Sequence, residues 1–151
     1  DVGTGSGCLG ITAKLELPLE VTLSDISRHA LMIADENARN LEAETTTIQS
    51  NLLEDITGRF DIIIANLPYV DKTWERSPET NHEPANALFA EDSGLALIKR
   101  LIIQAQNRIR KHGLLLLEAD PTQHAAIMAD CQSNGFTHVI TDGYCIVFRY
   151  D

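Results

Sequence analysis

The sequence predicts an α/β domain built on a mostly parallel, doubly wound sheet that ends in an antiparallel hairpin. Three observations support this. Short β-like runs alternate with segments of helical periodicity, the most apolar runs are strand-sized, and a tight-turn pair separates two alternating segments near the carboxyl terminus. The chain has 151 residues, a length at which one domain buries most of its apolar surface, so we expect a single domain over residues 1–151.

Strands and helices alternate through the first half of the chain. A glycine-rich turn leads into a helix-compatible run over residues 9–17, and residues 20–23 are predicted to form a short strand. Residues 46–49 and 60–65 are two further predicted strands, and the second is apolar enough to lie centrally with both faces covered. Ser27 can cap the helix between the first two strands. The apolar face of that helix consists of Leu31, Ala34, Ala38 and Leu41.

A third helix and a strong strand are predicted next. Apolar residues recur at helical spacing over residues 95–109, which predicts a helix that begins at Asp92 or Ser93. Gly113 is placed to end this helix in a left-handed cap. A strand over residues 114–117 follows directly.

A final helix and a hairpin complete the predicted fold. Asp120 and Pro121 are a favourable cap and first-turn pair for a helix that Gly135 ends. The hairpin consists of the arms 136–140 and 144–150 with the turn pair Asp142-Gly143 between them. Residues 70–91 have no clear period, and a loop of this length predicts a functional lid or a mobile segment.

Composition argues against several classes of function. The formal net charge is −10, which disfavours unaided binding to a phosphate backbone. The five histidines show no metal-like pairing, so no metal site is expected. The odd number of cysteines and their wide spacing favour free, structural thiols in a reducing cytoplasm. These cysteines are Cys8, Cys131 and Cys145.

The ends and apolar runs of the chain raise expectations about its context. No apolar run is long enough to cross a bilayer, and no charged leader with a cleavage site precedes the glycine-rich turn. Such a turn normally follows a buried strand, and nothing precedes Asp1 to form one. We therefore expect the chain to be a fragment that lacks the first strand of its sheet.

The glycine-rich turn and an acidic residue after the next strand indicate a nucleoside cofactor. Residues 1–7 read Asp-Val-Gly-Thr-Gly-Ser-Gly, and glycine lets a ligand approach the backbone closely. Asp25 lies at the end of the following strand, where a carboxylate can accept both hydroxyls of a ribose. A helix-capping aspartate is the structural alternative for Asp25, and a simple tight turn is the alternative for the loop.

The segment at residues 60–69, Phe-Asp-Ile-Ile-Ile-Ala-Asn-Leu-Pro-Tyr, is the most specific signal for chemistry. An amide nitrogen is a poor nucleophile, so an enzyme must orient it by accepting hydrogen bonds from both of its N–H groups. Asn66 supplies one acceptor, and the backbone carbonyl of Leu67 supplies the second because Pro68 favours an extended residue 67. Tyr69 would pack against a planar substrate, and Asn66, where donor and acceptor would meet, is also a predicted cofactor-binding residue. An ordinary strand ending in a proline turn is the alternative.

Both signals resemble motifs of class I S-adenosylmethionine-dependent methyltransferases, which have a Rossmann-like fold. The resemblance implies that Asp1 faces the methionine amino group of the cofactor and that Asp25 binds its ribose. It also implies that three glycines lie along the cofactor: Gly3, Gly5 and Gly7.

The Asn-Leu-Pro-Tyr segment resembles the Asn-Pro-Pro-Tyr signature of amino-methyltransferases, and the order of the other motifs resembles the HemK/PrmC protein-(glutamine-N5) methyltransferases of peptide chain release factors. Asn51, with Leu52 beside it, stands where that family often has an aspartate near the adenine ring. Leu67 stands where the family has proline. The leucine still supplies the backbone carbonyl, but the backbone at this position is less stiff than with proline. The family's amino-terminal helical domain, which docks the release factor, is absent from this sequence.

The sequence therefore predicts a cytoplasmic S-adenosylmethionine-dependent enzyme of translation termination that methylates a glutamine side chain of a release factor. An adenine-N6 methyltransferase acting on RNA or DNA is the alternative, because an exocyclic amine is also planar. A truncated cofactor-binding module without activity is the non-enzymatic alternative.

Overall fold

A computed structural model of the chain describes residues 1–68 and 94–151. Helices and strands alternate as predicted through most of these residues. In chain order they are α1 (Cys8–Glu16), β1 (Val21–Asp25), α2 (Arg28–Asn40), β2 (Thr45–Gln49), β3 (Phe60–Ala65), α3 (Ala96–Ala105), β4 (Ile109–Glu118), a 3-10 turn (Pro121–Gln123), α4 (His124–Ser133), β5 (Phe136–Asp142) and β6 (Cys145–Tyr150).

The strands form two groups joined by the first residues of the chain. β1 and β2 are parallel to each other, and the other strands lie in the order β3-β4-β6-β5. β3 and β4 are parallel, whereas β6 runs antiparallel to its neighbours on both sides. Val2 forms parallel bridges to both Ser24 of β1 and Ala65 of β3. The predicted mostly parallel sheet with a final antiparallel hairpin is confirmed.

The hydrophobic core consists of two clusters. The larger one packs α3 and α4 against the central strands, and its large, fully buried side chains include Ile98, Leu101, Ile102, Ile109, Leu115, Leu117, Ile127, Ile146 and Phe148. The smaller one lies where the first two helices meet β1, and it contains Ile11, Leu23, Ala34, Ala38 and Ala43. Burial of these side chains drives the helices onto the sheet.

Several predicted boundaries are accurate because local chemistry sets them. Ser27 caps α2 by accepting a hydrogen bond from the backbone N–H of Ala30 at 3.2 Å. Asp120 accepts from the backbone N–H of Thr122 in a capping box, although the helix then begins with a 3-10 turn. Leu41, predicted on the apolar face of α2, follows the last residue of the helix and is 54% exposed, so this placement is wrong.

The prediction of a helix continuing to Gly113 is wrong. α3 ends at Ala105, and Ile109 starts β4, where it pairs with Phe60. The backbone N–H of Phe60 also donates to the carbonyl of Arg108 at 2.8 Å, so pairing with β3 stabilises an extended chain here. Ile109 is fully buried in the core as a strand residue. It lies four residues after Ala105, so its apolar side chain also matches the helical spacing, and the sequence pattern alone does not separate the two structures.

Gly113 lies inside β4 and serves close packing rather than a helix cap. A Cβ at this position would lie 2.8 Å from the carbonyl oxygen of Asp61 and 2.9 Å from that of Arg110. The left-handed conformation occurs one residue earlier, at His112 with φ of 65°. The pairing of β3 with β4 is irregular between Phe60 and Ile62, next to this crowded point.

The carboxyl-terminal hairpin is confirmed with its turn shifted by one residue. Gly143 and Tyr144 form the turn, and Gly143 has φ of 56°. The segment 70–91, predicted to be a lid or a mobile loop, lies outside the described residues.

The three cysteines have different environments, and all are free thiols. Cys131 is fully buried, and burial raises the pKa of its thiol to about 12, as expected for a structural residue. Cys8 and Cys145 are exposed, so they lack the buried environment that is typical of the predicted structural thiols. Within residues 1–68 and 94–151, no helix has the length and apolar character needed to traverse a bilayer.

The crowding at Gly113 gives a first testable prediction. Gly113→Ala should lower the free energy of unfolding by about 2–3 kcal/mol, because a methyl group there meets two backbone oxygens that cannot rotate away. Gly58→Ala is the control. Gly58 has φ of 83° but no described atom within 4 Å of a Cβ, so only its left-handed strain of about 1 kcal/mol applies. Urea unfolding measures both losses, and equal losses would contradict the packing role.

Candidate active site

The predicted site residues meet at one edge of the sheet, at the carboxyl ends of parallel strands. The glycine loop, residues 3–7, follows Val2, while Asp25 ends β1. Asn51 follows β2 and Asn66 follows β3. Parallel strands bring their carboxyl ends to the same edge, which is the ligand-binding crevice of open α/β sheets.

The Asp1 side chain caps the first turn of α1. Its Oδ2 accepts a hydrogen bond from Thr4 Oγ1 at 2.6 Å and another from the backbone N–H of Gly10 at 2.9 Å. The second bond satisfies a first-turn amide that has no partner within the helix. The capping function and a ligand-binding function are compatible, because a carboxylate offers about four lone-pair sites.

Asp25 holds the opposite side of the glycine loop. Its Oδ2 accepts from the backbone N–H of Gly5 at 2.9 Å, and its Oδ1 accepts from the backbone N–H of Ser27 at 2.8 Å. The side chain is half-buried. Each oxygen keeps a second lone pair, so the carboxylate can orient the loop and still accept hydroxyl groups.

The three glycines of the loop share a positive φ but meet different surroundings. Their φ values are 68°, 56° and 86° for Gly3, Gly5 and Gly7. A Cβ on Gly3 would lie 2.7 Å from Leu67 Cδ2, and one on Gly7 would lie 2.6 Å from Ile11 Cδ1. Among the described residues, nothing lies within 4 Å of a Cβ on Gly5. Gly3 and Gly7 therefore permit close packing, and Gly5 leaves open space that a ligand can enter.

Asn51 and Leu52 follow β2 at the same edge. The preceding residue, Ser50, donates its backbone N–H to the carbonyl of Asp25 at 3.0 Å, which ties this turn to the end of β1. Asn51 is half-buried. Leu52 has φ of 56° and buries its side chain in the main core cluster, so its backbone is the part that can face a ligand.

The predicted acceptor turn is described up to Pro68. Asn66 is exposed, Leu67 is 4% exposed and belongs to the main core cluster, and Pro68 is half-buried. The burial of Leu67 is notable because the sequence motif requires only its carbonyl. Tyr69, the predicted packing surface for the substrate, lies outside the described residues.

Sequence reasoning missed three residues that orient the two carboxylates. Thr4 is buried and binds Asp1 through its hydroxyl, Gly10 binds Asp1 through its amide, and the Ser27 amide binds Asp25. One signal was available: a hydroxyl residue lies three positions after an acidic one and next to glycines. Asn37 adds a further link, because its Nδ2 donates to the Ser6 carbonyl at 2.9 Å.

A groove of about 720 Å³ separates β1 from β3, and we call it the β1–β3 groove. Asp1 and Asn66 line it, whereas Gly5 and Asp25 do not. Much of its surface is apolar, with Leu9, Leu17, Leu53, Ile56, Ile62 and Ile63 among the lining residues. Among the described site residues, the groove therefore shares only Asp1 and Asn66 with the predicted cofactor and acceptor positions. In the described parts of the chain, no three or more His, Cys, Asp or Glu side chains cluster as metal ligands.

A family model for the methyltransferase small domain matches residues 1–147. The chain belongs to this family. The methyltransferase domain and its cofactor, S-adenosylmethionine, are thereby confirmed as predicted. The assignment of individual residues to the cofactor or to the acceptor remains a prediction.

Relatives of this methyltransferase domain agree with the predicted branch. A release factor glutamine methyltransferase of Lactococcus lactis is 39% identical over 155 residues, which cover 100% of this chain and 57% of that protein. A ribosomal protein uL3 glutamine methyltransferase of Francisella tularensis is 38% identical, with 91% and 45% covered. The methyltransferase domain thus spans about half the length of these relatives.

A solved structure confirms the class I methyltransferase fold. The ribosomal protein L11 methylase of Lactobacillus delbrueckii matches this methyltransferase domain with a TM-score of 0.74 and 25% identity. The match covers 99% of this chain and 66% of that one.

The hydroxyl of Thr4 gives a prediction for the site. Thr4→Val should lower the free energy of unfolding by about 1.5–2 kcal/mol, because a hydrogen bond to a carboxylate is lost in a buried place. It should also weaken S-adenosylmethionine binding about tenfold, or about 1.4 kcal/mol, since the Asp1 carboxylate loses one of its two anchors. Thr4→Ser keeps the hydroxyl and should bind normally in calorimetry. Equal binding by both variants would contradict this role of Thr4.

Proposed function

We propose that the full-length protein transfers the methyl group of S-adenosylmethionine to the side-chain amide nitrogen of a glutamine in a peptide chain release factor. One observation carries the proposal. Asn66, the predicted amide-orienting residue, directly follows Ala65, which Val2 bridges, so the acceptor turn and the glycine loop begin at adjacent points of one sheet edge. A donor held by the loop and an amide held by Asn66 are then neighbours.

The residues that would hold the cofactor fit its parts. Asp1 would face the methionine amino group. The first-turn amides of α1 stabilise the negative charge of the Asp1 carboxylate. Asp25 would accept the ribose hydroxyls, and Asn51 with the Leu52 backbone would border the adenine ring. The open space beside Gly5 lies where the loop must admit the ligand. When bound, S-adenosylmethionine supplies a sulfonium methyl group that a nucleophile can attack.

Orientation of the acceptor is the main catalytic contribution of the protein in this proposal. The Asn66 side-chain oxygen and the Leu67 carbonyl accept hydrogen bonds from the two N–H groups of the amide, which points its nitrogen lone pair at the methyl group. Pro68 disfavours a helical conformation for Leu67 and so helps to aim that carbonyl. Tyr69 is proposed to pack against the flat amide.

The chemistry of the surface favours a protein substrate over a nucleic acid. A net charge of −10 repels a phosphate backbone, and the curated relatives described above are named for glutamine methylation. Transfer of a tritiated methyl group to a release factor, to ribosomal protein uL3 and to total RNA separates the candidates. Label on the release factor supports the proposal, and label on RNA alone overturns it. We propose the cytoplasm as the location, because translation termination takes place there.

We also propose that a β-strand preceding Asp1 in the longer protein fills the β1–β3 groove, as the sequence led us to expect. The Asp1 nitrogen donates to the Thr22 carbonyl at 2.9 Å, as an amide of a sheet does. Ile62 of β3 is 41% exposed and lines the groove. A helical docking domain further upstream is part of the same proposal.

Substitution of Asn66 tests the catalytic role. In the full-length protein, Asn66→Ala should lower kcat about 100-fold or more, because the acceptor amide loses one of its two oriented contacts. The affinity for S-adenosylmethionine should stay within about twofold of the parent, a difference of about 0.4 kcal/mol. Asn107→Ala, at an exposed asparagine after α3, is the matched control and should be fully active. Normal methylation by Asn66→Ala would overturn the assignment.

Substitution of Ile62 tests the strand. Ile62→Lys should be tolerated by residues 1–151 alone, where this side chain is partly exposed. In the longer protein, Ile62→Lys should lower the free energy of unfolding by about 2 kcal/mol or more, since a strand in the groove would bury the lysine ammonium group. Ile103→Lys, at a 57% exposed position on α3, should cost the same small amount in both chains. Thermal unfolding of the four variants decides, and an equal cost of Ile62→Lys in both chains contradicts the strand.

A further inference from the structure

The backbone carbonyl of Leu67, the proposed second acceptor, must be held in a fixed orientation without a proline ring. The signature that the acceptor turn resembles has proline there, and a proline ring fixes its own φ covalently. Leucine has no such ring and rotates more freely in the absence of packing. If the Leu67 carbonyl orients the substrate amide, then non-covalent contacts must restrict its backbone.

The structure shows where such contacts come from. Leu67 is 4% exposed, although it lies in a turn at the edge of the sheet between exposed Asn66 and half-buried Pro68. Its Cδ2 lies 2.7 Å from the point that a Cβ on Gly3 would occupy. The leucine side chain therefore packs directly against the glycine loop, in space that is available only because residue 3 has no side chain.

A second link joins the same two segments through the backbone. The N–H of Val2 donates to the carbonyl of Ile64 at 2.9 Å, one residue before the loop begins and two before Asn66. This bond fixes Val2 relative to the end of β3. It does not involve Gly3 or Leu67, which lie beyond it, so side-chain packing must align these two residues. The contact of Leu67 with Gly3 joins the two segments beyond the sheet.

We propose that the Leu67 side chain is a positioning residue that packs on Gly3 and thereby takes over the role of the proline ring. The inference rests on the proposed function, in which Gly3 belongs to the cofactor loop and the Leu67 carbonyl binds the acceptor. Its consequence is a coupling between the two halves of the site. A displaced glycine loop also displaces the acceptor carbonyl, so cofactor binding and acceptor orientation depend on one contact.

A double-mutant cycle in the full-length protein tests the coupling. Gly3→Ala should weaken S-adenosylmethionine binding about 30-fold, because its Cβ collides with Leu67 Cδ2. In a Leu67→Ala background the collision partner is gone, and Gly3→Ala should then cost about threefold, from its left-handed φ alone. Gly143→Ala is the control for that strain, since Gly143 has φ of 56° in the distant hairpin and no described atom within 4 Å of a Cβ. This control should bind and methylate normally.

Turnover of the Leu67 variants separates positioning from general packing. Leu67→Ala should lower kcat about 30-fold, while Leu67→Pro, which fixes the same backbone covalently, should keep kcat within about threefold of the parent. Both variants lose buried leucine contacts, so a purely structural role predicts similar losses of kcat in both. Leu67→Met should retain activity by filling the same space.

Each outcome has one meaning. Non-additive binding in the cycle together with recovery of kcat by proline supports the inference. Additive binding effects within twofold, or equal loss of kcat in Leu67→Ala and Leu67→Pro, overturn it and leave the proposed function standing. Failure of the parent protein to bind S-adenosylmethionine overturns both.

Discussion

The pairing of the first two residues with strands on either side holds the molecule together as one sheet. Asp1 and Val2 contact β1 through the bond from the Ser24 N–H to the Asp1 carbonyl at 2.8 Å, and they contact β3 through the Val2 N–H. Among the described residues, they provide the backbone pairing between the β1–β2 pair and the four-stranded group. The same two residues start the glycine loop. The continuity of the sheet and the position of the loop thus depend on one short segment.

The two carboxylates at the sheet edge have structural functions in addition to the ligand-binding functions that we propose for them. Asp1 binds the first turn of α1, and Asp25 binds both the loop and the start of α2. A charged acceptor for backbone amides stabilises a loop whose glycines would otherwise have high conformational freedom. The loop is therefore organised by the residues that we assign to the cofactor. Such an arrangement lowers the ordering cost that ligand binding would otherwise carry.

The sequence predicted the parts of the fold that local chemistry determines. The Ser27 cap, the apolar strand β3 and the Asp142-Gly143 hairpin are set by neighbouring residues, and the structure places them within a residue of expectation. The predicted end of α3 is wrong because Ile109 adopts a strand conformation through pairing with Phe60, which lies far away in sequence. The same limit applies to the site. Motifs identified Asp1, Asp25 and Asn66, but the contact of Leu67 with Gly3 is a meeting of two distant segments and has no local signal.

Gly10 limits how this site can vary. A Cβ there would collide with Leu23 Cδ2 in the smaller core cluster and would lie 3.0 Å from Asp1 Oδ2. Any side chain at position 10 would push α1 away from β1 and move the carboxylate that caps it. Evolutionary change in the loop is therefore unequal from one position to the next. Position 5 can accept a larger residue at the cost of backbone strain and ligand space, whereas a larger residue at position 10 requires Leu23 and Asp1 to shift.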